Sequence, residues 1–95
     1  MRETAFQTEC LRLAKRLGLL AVNIHGSGWS NKGFPDLLVF HAGRVVAVEL
    51  KGDSGYKVQP DQIVWRNRFL RQGIPHHVID SIELFEETMR EEFDL

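Results

Sequence analysis

The 95-residue chain has one cysteine, three prolines and no long apolar run. A lone Cys10 closes no internal disulfide and excludes a multi-cysteine zinc site. No apolar stretch approaches the roughly 18 residues of a membrane span. Met1-Arg2-Glu3-Thr4 lacks the apolar stretch of a secretory signal. Together these absences predict a reducing, intracellular setting. There is no internal repeat, no low-complexity segment and no linker, so residues 1–95 are read as one domain. What is present is the balance of a globular protein, with 43% hydrophobic and 26% charged residues. The net charge of −1 hides an asymmetry. Residues 1–78 carry 11 Lys/Arg against 6 Asp/Glu, and residues 79–95 carry one Arg against 7 acids. A basic body with an acidic tail suits a polyanion partner, though two ordinary solvated faces would give the same count.

Periodicity divides the chain cleanly. In residues 3–17, Glu3, Phe6, Cys10, Leu13 and Leu17 recur at spacings of three and four, the pattern of an amphipathic helix stopped by Gly18. Leu19–Ile24 reads as a strand, and residues 25–35 as a loop rich in Gly, Ser and Asn. Leu37–His41 and Val45–Lys51 flank Ala42-Gly43 and read as a hairpin. Pro60 suits the first turn of a helix running to about Gln72. Pro75–Ile79 reads as a last strand, and Asp80 or Ser81 caps an acidic helix to about Glu92. The expected order is α-β-β-β-α-β-α, an α/β sandwich on a small mixed sheet.

The chemistry lies in charged residues at positions assigned to the interior. Glu49 and Lys51 are two apart on one strand, so both leave the same face, roughly 6–7 Å apart. A turn at Ala42-Gly43 sets Asp36 opposite Glu49, with Cβ atoms about 4.5–5.5 Å apart. Two such carboxylates repel unless a cation lies between them or one is protonated. Hard oxygen ligands suit Mg2+ or Mn2+. Asp36 and Glu49 would hold the metal, with the Leu50 carbonyl as a further ligand. Glu3 and Gln62 each head an apolar stripe, so both helices can present a polar group to one pocket. A helix-dipole role for Glu3 fits equally well. Lys51 would orient the nucleophile or steady transition-state charge rather than act as base, because neighbouring carboxylates oppose the lowered pKa a base needs. The chemistry implied is metal-assisted hydrolysis of a phosphodiester.

Pro35-Asp36 followed by Glu49-Leu50-Lys51 resembles the signature of the PD-(D/E)XK nuclease superfamily. Glu3 with Gln7, Gly33-Phe34-Pro35-Asp36-Leu37, Gln62-Ile63-Val64-Trp65 and Gly73 are similar to the VRR-NUC branch. The resemblance covers about residues 3–80. It implies a restriction-endonuclease-like fold and a Mg2+- or Mn2+-dependent nuclease. It assigns Asp36 and Glu49 as metal ligands, Lys51 as the catalytic lysine, Glu3 as the first-helix acid and Gln62 as the supporting glutamine. Glu9 is a second candidate for that acid, off the inward face. The stand-alone branch implies a phage- or bacterium-encoded homodimer acting on branched DNA such as Holliday junctions, in the cytoplasm of a bacterial or phage-infected cell. Relatives often carry a small polar residue three before the glutamine, whereas this chain has Gln59 followed by Pro60.

For DNA, Lys32, Lys57 and Arg66 could meet phosphates, with Arg68 and Arg71 on the same helix. Trp29 could stack on a base, cover the core or contact a second copy. His25 is a further DNA candidate, and His41, His76 and His77 show no ligand spacing. Two other readings compete with the endonuclease: a nucleic-acid-binding module that does not cut alone, and an interaction domain with a buried salt-bridge network. Three carboxylates sharing one lysine disfavour the last.

Overall fold

The computed structural model describes residues 3–24, 32–52 and 57–95, the Glu3 side chain excepted. The elements run α1 (Glu3–Arg16), β1 (Leu20–Asn23), β2 (Leu37–His41), β3 (Arg44–Leu50), α2 (Pro60–Arg71), β4 (His76–Ile79) and α3 (Ile82–Phe93). The α-β-β-β-α-β-α order is the expected one, with strand ends shifted by about a residue. Sheet order is β1-β2-β3-β4. The β1–β2 and β2–β3 pairs are antiparallel and β3–β4 is parallel, giving the mixed sheet.

The β2–β3 hairpin turns at Ala42 and Gly43, both with positive φ. That is the backbone a tight two-residue hairpin needs, and it pairs His41 with Arg44 and Leu37 with Val48. One face of the sheet then carries Leu37, Val39, Val46, Val48, Leu50 and Ile79, all buried. Phe6, Cys10 and Leu13 of α1 and Phe85, Met89 and Phe93 of α3 join them in the core. Leu17 is only partly buried at its edge. Burial pushes the Cys10 thiol up to about 12, with Glu9 adding to it, so this cysteine packs as an apolar residue. Ser81 opens α3, its Oγ accepting the Leu84 N–H. Among the described residues, no helix is long and apolar enough to cross a membrane.

The other face is finished differently. It presents Leu20, Val22, Leu38, Phe40, Val45, Ala47, Glu49, His76 and Val78, and α2 leans on its β4 side. The sequence pattern puts Gln62, Trp65 and Phe69 on the inward side of α2. They do face inward, but only half-buried, and α2 has no fully buried residue.

Candidate active site

Asp36 stands one residue before β2, and the register that pairs Leu37 with Val48 sets it beside Glu49. The Ile24 N–H donates to the Asp36 carbonyl at 2.9 Å, which ties the residue to the end of β1. Asp36 Oδ2 accepts the Leu50 N–H at 2.6 Å. A side chain therefore takes the place of a ladder bond at the strand end. Lys51 continues β3 for one residue, its N–H donating to the Ile79 carbonyl at 2.9 Å.

The three charged groups converge as the spacing implies. Asp36 and Glu49 are only 5% and 4% exposed. Lys51 Nζ lies 3.3 Å from Glu49 Oε2. Gln62 Nε2 donates to the same Glu49 oxygen at 2.9 Å. Burial raises the Glu49 carboxyl from its ordinary 4.5 to about 8, and the charge of Asp36 and a hydrogen bond with it push the same way. Lys51 opposes this without cancelling it. One ammonium thus leaves a buried pair of acids under-compensated.

Gln62 is aimed by its own helix. Its Oε1 accepts the Gln59 N–H at 3.0 Å, which leaves only the Nε2 end to face Glu49. The glutamine itself thus reaches back to satisfy the helix N-terminus.

The sequence pattern does not reveal what docks α2 over the site. Gly33 has φ +86, and a Cβ there would lie 2.5 Å from the Asp61 backbone. The segment before Asp36 therefore presses directly on the first turn of α2. Next, the Phe34 ring meets Trp65 at 4.9 Å and Phe69 at 5.6 Å, both edge-on. Five consecutive residues, 32–36, thus clamp the helix that delivers Gln62 and deliver Asp36 themselves. The Gly33-Phe34 pair, present in the family-like motif, was the available signal. His76 closes the stack under Phe69. Both its ring nitrogens are buried without a hydrogen-bond partner among the described residues, and burial, then Arg66 and His77, lower its pKa.

The remaining candidates are dispersed. Glu3 opens α1, and its side chain lies outside the described structure, as do Trp29 and His25. Glu9 lines a groove with Arg12, Arg16 and Ile82, which none of Asp36, Glu49 and Lys51 joins. Lys32 is on the surface, 3.4 Å from Asp61, and Lys57 and Arg66 are exposed. Among the described residues, no three His, Cys, Asp or Glu side chains cluster as a metal site. Two buried carboxylates with one of them strained toward protonation are nonetheless a donor set that a hard divalent cation fits.

No family model matches the sequence, and no curated protein matches it. Solved structures do. A structure described as a VRR_NUC domain superimposes with a TM-score of 0.76 at 29% identity, over 93% of this chain and 94% of that one. The 1.6 Å structure of Archaeoglobus fulgidus Hjc, a Holliday junction resolvase from an archaeal hyperthermophile, matches with a TM-score of 0.63 at 21% identity. That match covers 82% of this chain and 67% of the resolvase. The mixed sheet with three helices and an acid pair at its strand ends is a restriction-endonuclease-like nuclease fold. Within it, the chain is most informatively compared with the VRR_NUC domain, to which it is similar over nearly its whole length.

Proposed function

We propose that the protein is a metal-dependent, structure-selective endodeoxyribonuclease that cuts branched DNA such as Holliday junctions as a homodimer. The observation that carries this is the burial of Asp36 and Glu49 side by side, with Lys51 Nζ 3.3 Å from Glu49. Asp36, Glu49 and the Leu50 carbonyl would hold Mg2+ or Mn2+. When bound, such an ion supplies Lewis acidity toward a phosphoryl oxygen and a water acidified enough to attack. Glu49 must be ionised to bind it, so binding releases the proton that burial otherwise retains. Lys51 lies beside Glu49, where it would orient the attacking water and steady charge on the scissile phosphate. Gln62 holds Glu49 in place through its amide. Lys32, Lys57 and Arg66 offer phosphate contacts around the site, and Trp29 and Glu3 are proposed to serve the DNA and the acid set.

The test is nicking of a four-way junction with and without Mn2+. Wild type cuts only with the ion, and Lys51→Ala loses at least about 100-fold, the scale of one removed electrostatic group. Equal cutting by both proteins defeats the assignment of Lys51. The competing reading is a DNA-binding module that does not cut. It is favoured by the gathering of only two carboxylates among the described residues. Tight junction binding without nicking in either metal would select it.

A further inference from the structure

Helix α2 carries a row of side chains of which docking on the sheet uses only a part. Trp65, Arg68, Phe69 and Gln72 recur at spacings of three and four, so they line up along one side of the helix. The row starts one turn, about 4.5 Å, beyond Gln62 and runs to the helix end. There Gly73, with φ +77, reverses the chain. The Gly73 N–H donates to the Leu70 carbonyl at 3.0 Å and the Ile74 N–H to the Phe69 carbonyl at 2.9 Å, which brings Ile74 back toward Phe69.

Trp65, Arg68, Phe69, Gln72 and Ile74 enclose a cavity of about 160 Å3. Its lining is an indole, a phenyl ring and an aliphatic chain, with a guanidinium and an amide from two exposed positions. An apolar cavity of about 150 Å3 takes one benzene-sized ring. The space therefore suits a single flat heterocycle and is too small for a helix or strand of a partner protein. Phe34 holds the half-buried Trp65 ring at 4.9 Å, so the indole is fixed before anything binds. Arg68 already uses that ring as a platform, with its Cζ 4.7 Å from the ring centre. Arg71, three residues further, adds a second exposed charge. The occupant that matches has a flat π face, a polar edge and an attached anion.

We infer that this cavity holds one unpaired nucleobase of the DNA. Stacking of a base on an aromatic ring is stronger than an exposed cation–aromatic contact, so the base takes the place of the Arg68 head against the indole. The freed guanidinium meets the phosphate of the same nucleotide. The Gln72 amide has both a donor and an acceptor and can pair with the edge of any base. The middle of the row lies about seven residues, roughly 10 Å, along α2 from Gln62, which is about three nucleotides of one strand at 3.4 Å each. A base stacked inside a duplex exposes no face to the indole. The DNA that fits best is therefore a branch with unpaired nucleotides close to the acid pair, and a fully paired junction has to open a base pair to fill the cavity. The inference rests on the DNA-binding part of the proposed function and names the feature of a branch that the helix reads.

Fluorescence anisotropy with a forked duplex, whose strands separate into two unpaired arms, tests it on the full wild-type chain without metal. A single abasic nucleotide is placed in turn at each unpaired position within about six nucleotides of the fork. Loss of the base at one or two adjacent positions is expected to weaken binding about tenfold, the scale of one stacked base, with little change elsewhere. Ile74→Trp fills the cavity while leaving Trp65, Phe34 and Phe69 in place. With an unchanged circular dichroism spectrum, it should bind the intact fork about tenfold more weakly than wild type and show no dependence on abasic position. If that variant does not fold, the scan on wild type decides alone. A scan that is flat at every position overturns the inference, as does a folded Ile74→Trp that binds and scans like wild type. Displacement of the fork by a free mononucleotide at comparable concentration overturns it too, since the cavity would then be a nucleotide site. A protein that nicks with Mn2+ but gives a flat scan would sink this inference and leave the nuclease reading intact. A position-dependent scan without nicking in either metal would do the reverse.

Discussion

The two faces of this sheet are built from the same strands and solve opposite problems. Toward α1 and α3, alternate residues are apolar and fully buried, and facing helices contribute Phe6, Cys10, Phe85 and Met89 to one continuous core. Toward α2, the other alternation carries Glu49, Lys51 and His76, and the covering helix buries nothing completely. Because side chains alternate along a strand, one backbone serves both. The apolar face supplies the stability that lets the second face hold two acids together, an arrangement that works against folding.

Breaking the apolar face should have the largest effect. Phe85 is fully buried, and Phe85→Ala should cost about 3–5 kcal/mol, much of the stability of so small a domain. Phe69→Ala, half-buried against Phe34 and His76, should cost clearly less while impairing cleavage more, since it loosens the helix that aims Gln62. Urea unfolding of both variants reads this directly. Equal costs would mean that the two faces are packed alike.

The next effect belongs to the acid pair. The native state holds a proton on Glu49 up to about pH 8, whereas the unfolded chain releases it near 4.5. This contribution to stability is full below 4.5 and is lost as pH rises through 8. The urea midpoint should therefore drift downward over that range, and Glu49→Gln should remove the drift while abolishing cleavage. Mg2+ binding at pH 7 should release protons, visible as a buffer-dependent heat in calorimetry. A midpoint unchanged by Glu49→Gln at every pH would show that the pair carries no strain.

His76 sharpens the contrast with the opposite sign. Its lowered pKa means that the unfolded chain takes up a proton the native state resists. Stability from this group is present above its ordinary 6.5 and falls as pH drops through the native value. His76→Phe removes two buried nitrogens that have no partner among the described residues, and should be neutral or stabilising at pH 7, with a larger gain at pH 5. A loss at pH 5 would mean that the ring has a partner worth keeping.

Much of this was legible in the residues because short-range rules governed it. The Ala42-Gly43 turn sets the hairpin register, and register alone places Asp36 beside Glu49 with Lys51 on the same face. The apolar stripes of α1 and α3 follow helical spacing, so their core residues are readable one by one. What escaped depends on approaches between distant segments. Nothing local says that Gly33 meets Asp61, that Phe34 enters between Trp65 and Phe69, or that Gln62 turns its carbonyl to Gln59. The half-burial of α2 is likewise a tertiary fact, since its inward stripe looks like any core stripe in sequence. Glu3 and Trp29, which sequence put forward, lie where the described structure cannot place their side chains.

The smallest effect concerns the hairpin, where both faces share one backbone. Ala42 has φ 51, a left-handed conformation that costs an alanine roughly 1–2 kcal/mol. Asn tolerates this region, and Asn-Gly is the preferred pair for such a turn. Ala42 is exposed, so a larger side chain meets no packing constraint. Ala42→Asn should therefore stabilise the fold by about 0.5–1 kcal/mol, a rise of several degrees in Tm for a domain of this size. The turn lies at the end of β2 and β3 away from Asp36 and Glu49, so cleavage and its pH dependence should not move. A fall in Tm would show that the left-handed turn is not strained. A changed pH profile would show that the two ends of the hairpin are coupled, and the face that carries the acid pair would then depend on more than its own register.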